Sequence, residues 1–455
     1  MSSRSPRAWT GVGLLNVLAW IRGQALLRVI YRSIPQTWRN RIAGDLTARA
    51  NSYTRFPRTP SWDVMLPTAS KAPAVVASTG PGVNILGYIR GQFGLAESTR
   101  HYARALINAG VPVRLYDVDL DLSHGWNDHS LDAWIGDDIP HRVSIVFVNP
   151  DFLQAALDKI GRARLEGHYL IACWFWELEH IPDDWLSAIE QVDEIMVGSE
   201  FVERAFRRVT NKPVLRIPQP LAEAPDSGLQ RADFGLEEGK FTFLVTFDFH
   251  SWIDRKNPQA ALRAFRAAFP PDRDDVRLLV KSSNGFRHPE KFRQLLNAAA
   301  GDPRIVVRDE VIDRAHVNAL QRCADAYVSL HRAEGLGLGL AECMAMGKPV
   351  IATNWSGNLE FMRPDSACLI NYQLVPVEAG EYPHSAGVQW AEADVADAAR
   401  AMRLLADDPA AAAEMGLRGQ RLVKALLSPE RSAALLKARI EELDHLELEG
   451  GASHA

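Results

Sequence analysis

From Val83 onward, short apolar runs alternate with amphipathic stretches along most of the chain. NILGYI (84–89) reads as a buried strand, a glycine-bearing turn follows, and a helix is expected from about Leu95 to Ala109. Gly110 closes that helix, and VPVRLYDV (111–118) is the next strand. RVSIVFVN (142–149), HYLIACWFW (168–176) and DEIMVGS (193–199) continue the series, separated by helical stretches. Apolar runs joined by helices predict a parallel sheet with crossover connections.

The rhythm pauses over 220–240, where acids, Gly and Pro show little periodicity, as in a connector between domains. A second series then runs through strands at 241–247, 276–282, 304–310, 326–330 and 349–354, with helices at 258–269, 289–300, 313–322 and 339–346. After about Asp394 the chain reads as helical, and Ser428-Pro429-Glu430 opens a final helix ending near Leu446. The expected fold is α/β: two doubly wound Rossmann-like domains facing a cleft, with ligands beyond the carboxyl ends of the strands. The expected boundaries are an N-terminal extension and linker (1–75), a first domain (76–225), a second domain (226–427), and a C-terminal helix and tail (428–455) with the option of crossing back to the first domain.

Composition narrows the class. The 455 residues are 47% hydrophobic and 24% charged with a net charge of −5, so no global basic field argues for nucleic acid. Cys173, Cys323, Cys343 and Cys368 form no C-x-x-C pair or zinc spacing, which reads as reduced, structural thiols in a reducing compartment. Only residues 1–50 break the balance, with eight arginines, no lysine and a single acid, Asp45. The apolar run from Trp9 to Ile21 is too short for the ~20 residues a membrane span needs, and no small-residue cleavage site follows. Two readings fit this segment: an interfacial helix held at an anionic membrane surface, or a helix packed on the body of the protein. Residues 51–75, with Pro57, Pro60, Pro67 and Pro73, read as an extended linker.

The stretch richest in chemistry is SLHRAEGLGLGLAECMAMGKPVIATNWSGNLEFM (329–362). A strand delivers His331 and Glu334 to its carboxyl end, a bare-backbone loop of Gly335, Gly337 and Gly339 follows, and a helix begins with Glu342 near its first turn. Exposed amides at such a helix start suit a phosphate or sugar oxygens, and a carboxylate can accept two hydrogen bonds from a ribose diol. A second stretch, TFDFHSWIDRKNPQAALRAF (246–265), carries Arg255 and Lys256 where a pyrophosphate leaving group would need neutralising. Lys281 closes a strand that must otherwise be buried. A third, GYIRGQFGLAESTRHYARAL (87–106), is a glycine-rich turn opening a helix of the first domain.

Glu-x7-Glu across the glycines resembles the donor-site signature of retaining GT-B glycosyltransferases of the large family 4, and SGNLEFM and WAEADVADAARAMRLLADDP are similar to that family too. The resemblance runs from about Ile85 to Leu427. It implies a metal-independent hexosyltransferase using a GDP- or UDP-linked sugar as co-substrate, with no other cofactor, to build a surface polysaccharide or lipid-linked glycan. It implies catalytic roles for Glu334, Lys256 and Arg255. Donor contacts would come from Glu342, the backbone of Gly335, Leu336, Gly337 and Leu338, and from Lys281, His250, His331 and Gly94. His250 stands where the family usually has an arginine, which leaves Arg255 or Lys281 to take that role. Asn149 stands where many members have a histidine; it can hydrogen-bond a hydroxyl but cannot move a proton at neutral pH. The front-face mechanism generally assigned to such enzymes needs no protein base there, because the departing phosphate takes the acceptor proton. After another strand, Trp176, Glu177 and Glu179 are candidate acceptor contacts. An enzyme acting on a lipid-linked acceptor would be cytoplasmic, at the inner face of the plasma membrane.

Two further readings compete: a nucleotide-sugar 2-epimerase of the same fold, or a catalytically weak subunit that binds nucleotide sugar. A nicotinamide dehydrogenase is disfavoured, because GYIRGQFG does not supply G-x-G-x-x-G. Asp117-x-Asp119-x-Asp121 mimics a metal-binding triplet, but one such triplet among 56 acids carries little weight and no metal site is expected.

Overall fold

A computed structural model describes residues 54–63, 81–122, 125–221 and 223–452. Residues 1–50, where the membrane-surface reading falls, lie outside them. Two six-stranded sheets, parallel throughout, form the two domains. The first contains β1 (Val83–Gly87), β2 (Val113–Asp117), β3 (Val143–Phe147), β4 (Tyr169–Cys173), β5 (Glu194–Val197) and β6 (Val214–Arg216), in the order 2-1-3-4-5-6. The second contains β7 (Phe241–Asp248), β8 (Val276–Ser283), β9 (Ile305–Asp309), β10 (Ala326–Ser329), β11 (Val350–Thr353) and β12 (Cys368–Ile370), in the order 12-11-10-7-8-9. A two-stranded antiparallel hairpin, β13 (Tyr372–Pro376) with β14 (Gln389–Ala393), follows. Helices cover both faces of each sheet, so β1, β3 and β11 are buried along their whole length.

Strand order decides where a ligand can sit. In each sheet the chain reverses direction beside its first strand, leaving a crevice at the carboxyl ends there. In the first domain that point lies between β1 and β3, and the chain leaves them at Gly87 and Phe147. In the second it lies between β7 and β10, whose exits are Asp248 and Ser329. The segments that sequence reasoning singled out are therefore the ones that leave the switch points.

Both ends of the described chain cross between domains. Residues 54–63, expected within an extended linker, instead pack on the second domain. Phe56 and Trp62 are buried, with ring centroids 5.7 and 5.6 Å from Phe234, and Trp62 lies 4.3 Å from the His316 ring. The Phe56 amide donates to Glu310 (3.1 Å), and Ser61 Oγ donates to Asp233 (2.6 Å). The final helix, Pro429–Ala452, packs on the first domain. Leu436, Ile440 and Leu443 recur at helical spacing and are buried in its core, and Arg439 pairs with Glu194 at 2.7 Å. Among the described residues no helix is long and apolar enough to cross a membrane.

Candidate active site

A cleft of about 1750 Å³ runs between the domains, with Gly94, Glu97 and Arg100 on one wall and Asp248, Lys281, Arg314 and Leu338 on the other. Gly94 opens the helix Gly94–Asn108 directly after the β1 turn, and no heavy atom lies within 4 Å of where its Cβ would be. The following turns are fastened by a buried guanidinium: Arg100 donates to the carbonyls of Ile89 (2.8 Å) and Gly91 (2.7 Å) and pairs with Glu97 and Asp128.

Beyond β7, Arg255 and Lys256 sit on a short turn bracketed by two residues of left-handed backbone, Trp252 (φ 62°) and Asn257 (φ 48°). That conformation is sterically costly for a tryptophan, and strain of this kind is held only where the surroundings fix it. Beyond β10, Glu334 meets both cations. Its carboxylate lies 3.1 Å from the Arg255 guanidinium and accepts a hydrogen bond from Lys256 Nζ. Burial alone would raise the Glu334 pKa, but Lys256 and Arg255 outweigh it and hold the group at about 2. For Lys256 the balance runs the other way, and burial lowers its pKa despite Glu334.

The glycine loop follows. Gly337 has φ +90°, a conformation that side chains rarely adopt, and it precedes the helix Leu338–Ala345. A Cβ on Gly335 would lie 2.7 Å from the Trp176 carbonyl oxygen. That contact is part of a seam between the domains. Ser199 Oγ donates to the Gly335 carbonyl (2.6 Å), Glu177 lies 3.6 Å from Arg255, and Tyr382 donates to Glu177 at 2.5 Å. Arg255 thus faces a first-domain carboxylate, the residue after buried Glu334 is held by the first domain, and neither Glu334, Arg255 nor Lys256 lines the open cleft.

Glu342 is buried one turn further on. Its carboxylate accepts from Arg314 and from Gln321 (3.1 Å), and Arg314 reaches across the cleft to Glu97 at 3.7 Å. Sequence reasoning missed Arg314. Its position was a usable signal, because a cation in the first turn of the helix Arg314–Cys323 opposes the helix dipole and calls for a carboxylate partner. Lys281 is buried on β8 and donates to Ser283 Oγ (2.6 Å); burial brings its pKa down to about 8.

The remaining candidates are held by the protein itself. His331 is fully buried, with Nδ1 3.0 Å from Ser329 Oγ and Nε2 3.1 Å from Asn358 Oδ1. His250 Nδ1 lies 3.0 Å from His288 Nε2. Asn149 uses both ends of its amide on the Phe175 backbone (3.2 and 3.1 Å), and buried Trp176 donates to the His180 carbonyl at 2.8 Å. Asp117 accepts from the Arg90 amide (3.2 Å) and Trp126 Nε1 (3.0 Å), and Asp119 accepts from the Asp121 amide.

Two facing doubly wound domains, joined so that both switch points meet at one cleft, define the GT-B fold. Residues 242–408 match the family described as Glycosyl transferases group 1, which places the family resemblance on the second domain. A trehalose synthase of Rubrobacter xylanophilus is 26% identical over 199 residues, 43% of this chain and 42% of that protein, so the match spans under half of this curated relative. Among solved structures, sucrose-phosphate synthase from Thermosynechococcus elongatus is similar at a TM-score of 0.57 and 18% identity, over 80% of this chain and 100% of that one. A glycosyltransferase from Rickettsia africae matches at 0.57 and 13%, over 80% and 98% of the two chains. HepE of Anabaena, solved with UDP and glucose, matches at 0.52 and 13%, over 82% and 100%.

Proposed function

We propose that this chain is a retaining glycosyltransferase of family 4 that moves a hexose from a nucleotide-diphospho sugar to a glycan or lipid-linked acceptor in surface polysaccharide synthesis. The observation that carries this reading is the arrangement at the β7/β10 switch point. Two buried carboxylates, Glu334 and Glu342, flank a loop with little side-chain bulk, and Arg255 and Lys256 stand against the first of them. When the bond between the anomeric carbon and the phosphate oxygen breaks, negative charge grows on the diphosphate. Lys256, Arg255 and Lys281 supply the charge to meet it, so the reaction does not call for a metal. The Gly335–Leu338 amides and Glu334 orient the sugar, and Glu342 accepts the ribose hydroxyls once Arg314 gives way. Because Glu334 is buried away from the open cleft and the next residue, Gly335, is bonded to Ser199 of the first domain, donor entry requires the Gly335–Ser199 seam to open.

The test is thermal unfolding with UDP, GDP and ADP, beginning with UDP because HepE binds it. The cognate nucleotide at ~100 times its dissociation constant should stabilise the protein by about 2.7 kcal/mol. Glu342→Ala should abolish most of that shift; an undiminished shift removes Glu342 from the ribose site. A second reading, a nucleotide-sugar-binding subunit with weak catalysis, draws on the Asn149 amide being occupied by Phe175. It predicts the same nucleotide shift with no hydrolysis or transfer of any donor sugar.

We place the protein in the cytoplasm at the inner face of the plasma membrane, with residues 1–50 as the contact, since each basic residue near an anionic surface contributes ~1 kcal/mol. The full chain should cosediment with anionic vesicles at physiological salt and a chain lacking residues 1–50 should not. Equal sedimentation of the two would refute that role.

A further inference from the structure

A second crevice, of about 350 Å³, opens between the domains and shares no lining residue with the larger cleft. Glu179 and the helix Glu200–Arg207 form its first-domain wall; the loop 354–360 and Tyr372 form the other. Three partly exposed aromatic rings converge on it, with Trp355 centred 5.8 Å from Phe201 and 5.2 Å from Tyr372. Trp355 is held there by a constrained backbone. Ser356 has φ 77° and ψ −150°, a region otherwise left to glycine, and its Oγ accepts from the Glu334 amide at 2.8 Å.

The polar groups are as informative as the rings. Glu179 is half-buried, and its carboxylate has no hydrogen bond or ion pair among the described residues. It is close enough to Tyr372 to add to burial in raising the pKa of that hydroxyl. Arg208 donates to the Glu179 carbonyl at 3.3 Å, which leaves further guanidinium donors facing the same space. A purely apolar occupant would strand the Glu179 carboxylate without water or a donor. An anionic one would meet three carboxylates, Glu179, Glu200 and Glu360, against two guanidinium groups, Arg204 and Arg208, of which Arg204 is already paired with Glu200. A sugar ring answers both demands, because one face is lined with C–H groups and its edge carries hydroxyl donors that a carboxylate accepts in pairs. The volume lies within the ~300–1,000 Å³ of small-molecule sites.

We propose that this crevice is a second saccharide subsite, away from the point of transfer, which holds one sugar unit of a glycan with its face on Trp355 and Tyr372 and its hydroxyls on Glu179 and Arg208. The proposal rests on the reading of the chain as an enzyme that handles glycans. Since both domains form the walls and Gly357 donates to the Glu334 carbonyl (2.8 Å), a glycan bound here bridges the domains beside the loop that bears Glu334.

The test is calorimetric titration of the full chain with maltotetraose and with mannotetraose, alongside thermal unfolding with UDP, GDP and ADP. The wild type should bind at least one of the two. Glu179→Gln should weaken that binding about tenfold or more, Trp355→Ala should abolish it, and Trp355→Phe should restore most of it, with the shift by the cognate nucleotide unchanged in all three. No binding of either oligosaccharide by the wild type, or equal binding by Glu179→Gln, overturns the subsite. Loss of glycan binding in the variants with no shift by UDP, GDP or ADP even in the wild type supports the subsite and overturns the donor reading instead.

Discussion

Replacing Glu334 with glutamine is expected to cost about 3–5 kcal/mol of stability at neutral pH, because it leaves a buried and a partly buried cation facing a neutral amide. Arg255 keeps Glu177 at 3.6 Å, but Lys256 loses the carboxylate that offsets its burial. The pH dependence has a fixed sign. Glu334 titrates at about 2 when folded, against 4.5 as the ordinary value, so its contribution is full above 4.5 and is lost as pH falls toward 2. Denaturant unfolding should therefore show a gap between wild type and Glu334→Gln that is wide at pH 7 and closes between pH 4.5 and 2. A gap that stays constant through this window would mean that Glu334 is not the group being neutralised. Turnover should fall as well, since the same carboxylate is assigned to orient the reacting sugar.

Lys256→Ala should lower turnover by 10²–10³, or about 2.7–4 kcal/mol, as the loss of one group that meets developing charge commonly does. Unlike Glu334→Gln, it should leave the fold close to wild type, because Glu334 keeps Arg255 at 3.1 Å. The two residues touch, so their effects should not add. A double variant should lose less stability than the two single losses summed, since the stranded cation is itself removed. Full activity in Lys256→Ala, measured as release of UDP or GDP from the cognate donor, would take this residue out of the reaction.

Parallel strands dense in apolar residues, such as VSIVF in β3 and YLIAC in β4, were legible because such runs have no amphipathic alternative. β6 (Val214–Arg216) and β12 (Cys368–Ile370) were not, since three residues at a sheet edge are too few to show any period. The hairpin of β13 and β14 hid for another reason: Gln373, Leu374, Pro376 and Gln389 are exposed and polar residues interrupt both strands, so it has no continuous apolar run. Phe56 and Trp62 looked like linker residues because Pro57 and Pro60 erase local periodicity, while their partners lie more than 170 positions away. The candidate site divides in the same way. Residues on one strand–loop–helix unit, Glu334 to Glu342, could be found from spacing. Ser199 on Gly335 and Arg314 on Glu342 join separate units, and only the packing of those units brings them together.

The two ends of the described chain cross in opposite senses, and this limits how the molecule can be divided. A cut in the connector at 220–240 would look natural, since each half keeps a complete six-stranded sheet. The amino-terminal fragment, however, would lack Leu436, Ile440 and Leu443, which fill its core, and the carboxyl-terminal fragment would lack the Phe56–Trp62 clasp on Phe234. Each half therefore owes part of its hydrophobic interior to a piece encoded in the other. Coexpressed fragments should recover their folds only by exchanging those pieces, and a minimal second domain must carry residues 54–63 grafted back onto it.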